Sequence, residues 1–171
     1  MNYEIRKIDP SENQLLSELC FKIYPQTFQY LWHDDGTWYM ETMYNPTKLL
    51  EELNDIHSSF YFLVVNDISV GYLKTNNHFQ EEENSFEIER IYLDENFAGK
   101  GLGGILLNFG INQAKLQNKK EVYLKVMNCS SNTIRFYQKH GFEQVGWYNL
   151  NFEQMKDSFR QINTMKLTLK Y

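Results

Sequence analysis

The feature that most constrains this chain is FAGKGLGGILL, Phe97 to Leu107. Gly99, Gly101, Gly103 and Gly104 fall within six residues, and a run of branched apolar residues follows at once. One or two glycines suffice for a tight strand-to-helix turn. Four also strip the side chains from a length of backbone, so that a ligand can approach it closely. A helix that opens there presents free amides at its N-terminus, an arrangement that holds phosphate. The flanks agree: FEIERIYL, Phe86 to Leu93, reads as a strand, and a helix is predicted from about Gly103 to Gln117.

Gly99, Gly101 and Gly104 match the dinucleotide pattern GxGxxG, a weak signal alone. That reading needs a parallel unit with an acid near the end of the next strand. Here VYLKV, Val122 to Val126, ends without one, and the strands before the loop read as an antiparallel meander. The Walker pattern fails as well, because Lys100 is followed by Gly101 and not by Ser or Thr.

The rest of the chain supplies a mixed pattern. Tyr3 to Ile8 alternates as a strand. Ser11 is placed as the N-cap of a helix carrying Leu15, Leu16, Leu19, Cys20 and Ile23, which Pro25 is expected to end. An aromatic stretch, Gln26 to Tyr44, precedes a helix at Thr47 to Leu53. Phe60 to Val65 and Ile68 to Lys74 form a hairpin about Asn66-Asp67. A polar loop with Glu81, Glu82 and Glu83 leads to the strand at Phe86. After Val126 come a helix at Ser131 to Lys139, closed by Gly141, and strands at Phe142 to Gly146 and Ile162 to Lys170. This order predicts one α+β domain over residues 1–171, built around a mixed sheet.

Composition narrows the partners. The net charge of −5 argues against a nucleic-acid face. There is no apolar run of membrane-spanning length, and MNYEIRKIDP lacks the apolar centre of a signal peptide, so a cytoplasmic location is expected. Two cysteines and four scattered histidines have no metal-ligand spacing, and no metal is expected.

Strand, glycine loop, helix, strand and then RFYQKHGF, Arg135 to Phe142, together resemble the GNAT family of acetyl-CoA-dependent N-acetyltransferases. The family's phosphate motif, Gln/Arg-x-x-Gly-x-Gly/Ala, corresponds to Ala98, Gly99, Lys100, Gly101, Leu102 and Gly103, with Ala98 where Gln or Arg is usual. FEIERIYLDENFAGKGLG, YNPTKLLEELN and FYFLVVNDISVGYLK are similar to bacterial PaiA-type polyamine acetyltransferases, and the resemblance runs from about Pro25 to Gly146. It departs after the fifth strand. Val126, Met127, Asn128, Cys129 and Ser130 stand where V-W-E-x-N is typical, so Ser130 replaces a cofactor-contacting Asn, with Asn132 close by.

The resemblance implies a mostly antiparallel sheet of about seven strands with helices on both faces. It implies acetyl-CoA as co-substrate and direct transfer to a small polyamine-like amine, and it is compatible with a homodimer. Ile91, Tyr92 and Leu93 would flank the pantetheine arm in a gap between their strand and Val122 to Val126, with an oxyanion-binding amide near Leu93. Ala98 to Gly104 would cradle the pyrophosphate, with Ser130, Asn132 and Tyr137 as further cofactor contacts. Lys100 is open to phosphate contact or to plain solvation.

Acetyl transfer needs a neutral amine, a polarised carbonyl and a proton for the departing thiolate. Glu89 matches the position of an acid that some GNAT polyamine enzymes use, and is the candidate base. By period-two geometry it shares a face with Glu87, Ile91 and Leu93. The alternative is a solvent-facing carboxylate or an ion pair with Arg90. Tyr137 is the candidate acid; the alternative is core packing with Phe136 and Phe142. Trp32 and Tyr39 are expected to line the amine pocket, with Glu87 as a lesser acid and with help from Asp34, Asp35 and Glu41. Cys129 has no histidine beside it and is read as incidental. Two other readings stay open: a protein N-terminus or lysine as acceptor, and a module that holds CoA without chemistry.

Overall fold

The computed structural model describes residues 2–171. Among these, seven strands form one sheet: β1 (Tyr3–Lys7), β2 (Ser58–Val65), β3 (Ile68–Asn76), β4 (Ser85–Leu93), β5 (Glu121–Met127), β6 (Glu143–Asn149) and β7 (Gln161–Thr168). Their order is β1-β2-β3-β4-β5-β7-β6. Every neighbouring pair is antiparallel except β4 with β5. Asn66 and Asp67 both take positive φ, 48° and 64°, the backbone of a tight hairpin turn whose twist matches the flanking strands. The parallel β4–β5 pair requires a crossover, and helix α4 (Leu102–Leu116) supplies it. Gly110 lets α4 lie close to the sheet, since a Cβ there would stand 2.8 Å from Ile88 Cδ1.

Two apolar cores flank the sheet. On one face α4 and α5 (Ser131–Lys139) cover Leu73, Phe86, Ile88, Val122 and Leu124. On the other, α1 (Asn13–Phe28), α2 (Thr37–Met43) and α3 (Pro46–Leu53) pack an aromatic core with Tyr24, Trp32, Tyr44, Phe60, Phe62 and Tyr72. The expected sheet of about seven strands with helices on both faces is therefore present. No helix among the described residues is long and apolar enough to cross a membrane.

Local expectations fail at three places in the first third of the chain. The first cap is Asp9, which accepts from Ser11 N while Glu12 returns a bond to the Asp9 amide; Ser11 lies inside the turn. Pro25 does not end its helix, and α1 continues to Phe28. The carbonyl that its missing N–H leaves unpaired belongs to Phe21, which is exposed to solvent, while Ile23 and Tyr24 stay anchored in the core. The aromatic stretch also holds a helix, α2, that its crowded rings obscured.

Candidate active site

The site begins where the parallel pair stops. β4 and β5 are in register from Ser85–Glu121 to Ile88–Leu124 and no further. Beyond that β4 stays with β3, and β5 turns with β7. A cavity of about 350 Å³ opens in the gap, walled by Ile91, Tyr92 and Leu93 on one side and Val126 and Met127 on the other. Two larger hollows, about 520 and 570 Å³, lie at the β1 edge of the sheet and include none of these residues.

Glu89 lies at a β-bulge. Lys74 pairs with Arg90 and Thr75 with Ile88, so no β3 residue stands opposite Glu89. The extra residue reverses the alternation of β4. Phe86 and Ile88 pack on the α4 face before it, and Ile91 and Leu93 do so after it. The expected shared face of Glu87, Glu89, Ile91 and Leu93 is thereby corrected: period two holds only while every residue has a partner.

The Glu89 carboxylate accepts from Asn76 Nδ2 at 2.7 Å and pairs with Lys74 Nζ at 2.7 Å and Arg90 Nη2 at 3.3 Å. Burial pushes its pKa up, but the charges of Arg90 and Lys74 and bonds from Lys74 and Asn76 outweigh that and hold it below the ordinary carboxylate range. Glu89 is thus an ion-paired anion at neutral pH and also lines the cavity. Across the network, Arg90 donates to both oxygens of Glu52 on α3 at 2.8 and 3.0 Å, and Lys74 lies 3.1 Å from Glu52. Two cations and two anions balance. Glu87 is not in the cavity lining. It accepts from Asn76 Nδ2 at 2.8 Å, and its buried Oε1 has no hydrogen bond, with Lys125 Nζ at 3.6 Å.

Tyr137 reaches the opposite wall from α5 and is 5% exposed. Burial pushes its phenol well above the ordinary range, so the hydroxyl keeps its proton at neutral pH. Its ring also packs on Phe136 and Phe142, so the packing and cavity positions coincide.

The glycine loop lies at the N-terminus of α4. Gly99 and Gly101 have φ of +72° and +79°, and a Cβ at Gly99, Gly101 or Gly103 would meet nothing within 4 Å. Gly104 lies near His140 Nε2, 3.7 Å from where its Cβ would be. The amides of Leu102, Gly103 and Gly104 precede the first bond into the helix, which Ile105 donates to Gly101 O. Buried Asp94 steadies the approach, accepting from Asn96 N at 3.0 Å and pairing with Lys22 at 2.7 Å. Ala98 is exposed and offers no side-chain contact. Lys100 donates to Asn96 O and sits 4.9 Å over the Phe97 ring. Ser130 lines the cavity, whereas exposed Asn132 accepts from Arg135 and lies outside the lining. Cys129 also lies outside it, 3.3 Å from Tyr30 Oη.

The far end of the cavity is aromatic. Trp32 and Tyr39 both line it, stacked with centroids 4.9 Å apart, and Trp32 Nε1 donates to Tyr24 Oη at 3.0 Å. Asp34, Asp35 and Glu41 do not line it. Asp34 instead accepts from the Gly36 and Trp38 amides at the start of α2. Sequence reasoning missed the cover over this end. The β6–β7 connection brings Leu150, Phe152 and Met155 into the lining, held by Arg160 through the carbonyls of Leu150, Phe152 and Met155. It also missed Glu52 and Lys74, which come from different elements and leave no local pattern.

A model of the acetyltransferase (GNAT) family matches residues 18–142. An uncharacterised N-acetyltransferase from the pepI 3′ region of Lactobacillus delbrueckii subsp. lactis is 36% identical over 112 residues, 63% of this chain and 65% of that protein. The spermine/spermidine N(1)-acetyltransferase of Bacillus subtilis is 35% identical over 69 residues, 40% of this chain and 45% of that protein. The matches thus span less than two thirds of either relative. The PaiA N-acetyltransferase of Thermoplasma acidophilum, solved in complex with coenzyme A, superposes with a TM-score of 0.76 at 21% identity, covering 99% of this chain and 100% of that one.

Proposed function

We propose that this chain, which belongs to the acetyltransferase (GNAT) family, moves an acetyl group from acetyl-CoA directly to a primary amine of a small molecule. The observation that carries this is the conjunction of three features: the β4–β5 gap, the amide-bearing glycine loop that joins the end of β4 to α4, and Glu89 and Tyr137 on the walls of the gap. The loop suits a diphosphate. Three glycines leave open the space a Cβ would fill, and three amides there precede the first helical bond. The unpaired edges of β4 and β5 suit an extended arm with amide groups, which could bond to them as a strand does.

When bound, acetyl-CoA supplies a thioester carbonyl open to attack and a thiolate leaving group. Asp94 N donates to Val70 O on β3 at 2.8 Å, so by alternation the Leu93 amide turns the other way, into the gap, where it can stabilise charge on a carbonyl oxygen. Ionised Glu89 attracts the acceptor's ammonium and relays its proton to solvent through water, leaving the free amine to attack. Tyr137 donates its phenolic proton to the departing sulfur. Cys129 lies outside the lining, and this supports direct transfer over a covalent enzyme intermediate.

Polyamines are the acceptors suggested by the partial likeness to the Bacillus subtilis spermine/spermidine enzyme. The test is thiol release from acetyl-CoA against spermidine, spermine, diamines, amino acids and short peptides. Release with small amines and not with peptides is expected. Release with peptides alone would move the acceptor to proteins. A melt stabilised by CoA without turnover on any amine would mark a binding module. No stabilisation by CoA would overturn the phosphate reading of the glycines.

A further inference from the structure

The charge of the cavity wall selects among amines. Of the residues lining the cavity, three are charged: Glu89, Arg90 and Lys125. Arg90 is satisfied within the protein, bonded to both oxygens of Glu52 and close to Glu89. Glu89 already faces two cations, Lys74 and Arg90. Lys125 differs. Its nearest carboxylate oxygen is Glu87 Oε1 at 3.6 Å, beyond a good hydrogen bond, and its side chain is 35% exposed. Also near its ammonium are the Tyr148 hydroxyl and the charge of Glu89, with the ring faces of Phe79 and Tyr148 at 5.6 and 6.0 Å.

This wall is a poor host for a polyamine. A polyamine carries several ammoniums, and the lining itself holds one carboxylate, Glu89, which already faces Lys74 and Arg90. A second ammonium would find no further carboxylate in the lining, since Glu52 is taken by Arg90 and Glu87 lies behind Lys125, whose ammonium would repel it. The acids expected to serve the pocket, Asp34, Asp35 and Glu41, do not line it. The rest of the far end is apolar: Phe28, Trp32, Tyr39, Phe152 and Met155. The β6–β7 connection closes over it, with Lys156 N bonded to Leu31 O and His33 N to Gln154 O, each at 2.9 Å.

We infer that the acceptor is a free amino acid with an apolar side chain of aromatic or methionine size. Its amine faces Glu89, its carboxylate takes the under-satisfied Lys125, and its side chain lies on Tyr39, Trp32 and Phe152. The inference deepens the acetyltransferase reading and rests on it for the chemistry, though not for the binding.

The test compares kcat/KM for L-phenylalanine, L-tryptophan and L-methionine with phenethylamine, phenylalaninamide and spermidine, in the wild type, Lys125→Gln and Lys125→Arg. A charge-assisted contact to the carboxylate predicts phenylalanine favoured over phenethylamine on the order of tenfold. Lys125→Gln should collapse that ratio toward one, and Lys125→Arg should keep most of it. A merely structural lysine would slow both substrates alike and leave the ratio unchanged, which would overturn the assignment, as would a preference for spermidine. Binding is read separately, from the shift in melting temperature that each amino acid causes with CoA present. A shift with phenylalanine that is lost in Lys125→Gln supports the inference even if no acetyl group moves. Absence of thiol release with every amine then counts against the transfer reading alone. Absence of both shift and turnover overturns the inference.

Discussion

Glu52→Gln removes one anion from the buried network behind the bulge. Glu52 faces Arg90, 5% exposed, through two bonds of 2.8 and 3.0 Å, and Lys74, 8% exposed, at 3.1 Å. The substitution leaves both cations with Glu89 as their one close carboxylate. Removing one member of a buried ion pair costs about 3–5 kcal/mol. The amide oxygen of Gln can still accept one bond and Glu52 is itself 12% exposed, so the low end, about 3 kcal/mol, is expected here. For a chain of this size each kcal/mol lowers Tm by about 2–4 °C, giving a fall of about 6–12 °C in a calorimetric melt. Glu52→Gln/Lys74→Met, which removes the surplus cation too, should recover part of the loss. A second reading comes from the pH profile. Loss of a neighbouring anion lowers the Glu89 pKa further, so the acidic limb of kcat/KM should move to lower pH. A fall in Tm under about 2 °C, with no rescue by the double substitution, would show that the network contributes little and that this electrostatic account of Glu89 is mistaken.

Tyr137→Phe should slow turnover on the order of 10²-fold while leaving the CoA-induced melting shift intact, since only the proton donor is lost; unchanged kcat would remove Tyr137 from the mechanism. Gly103→Ala separates stability from binding: its φ is not in the left-handed region and its Cβ meets no protein atom, so Tm should hold or rise slightly, whereas CoA affinity by titration calorimetry should drop at least about tenfold. Gly110→Ala should destabilise by about 1 kcal/mol in urea, because its Cβ stands 2.8 Å from the tip of Ile88, whose side chain can partly yield. Glu89 and Asp94 are both held below the ordinary carboxylate range, where burial is outweighed by Arg90 and Lys74 for the first and by Lys22 and the Asn96 amide for the second. Their contribution is complete above the unfolded carboxyl pKa of about 4 and is lost as pH falls through that value toward their native ones, so urea stability should decline steeply below about pH 4.5 and less steeply in Asp94→Asn.

The elements legible in the sequence were those whose signals are local. The Asn66-Asp67 hairpin, the strand entering the glycine loop, α4 and α5 follow from turn residues, β-branched content and helical spacing, all read within a window of neighbours. The glycine loop was legible for the same reason: bare backbone beside a helix start is a property of a few consecutive residues. Tyr137, singled out by its spacing to Gly141 and Phe142, lies on the cavity wall, as do Trp32 and Tyr39, singled out by aromatic composition. Pro25 misled because its usual effect is local, while the packing of Ile23 and Tyr24 that carries α1 past it is not.

Tertiary structure alone decided the rest. Where β4 leaves β5 depends on how the crossover of α4 and the antiparallel claim of β7 pull the two strands apart. The bulge at Glu89 exists only relative to β3, so no reading of β4 by itself could show that the alternation reverses there. The partners of Glu89 come from β3 and, through Arg90, from α3 tens of residues away, and the cover over the aromatic end of the cavity comes from the far side of β6. Charge and contact are sums over neighbours in space. The sequence by itself therefore determined the kind of fold and the glycine loop at the start of α4, and the folded sheet decided which charges surround Glu89 and Lys125 and which side chains line the cavity.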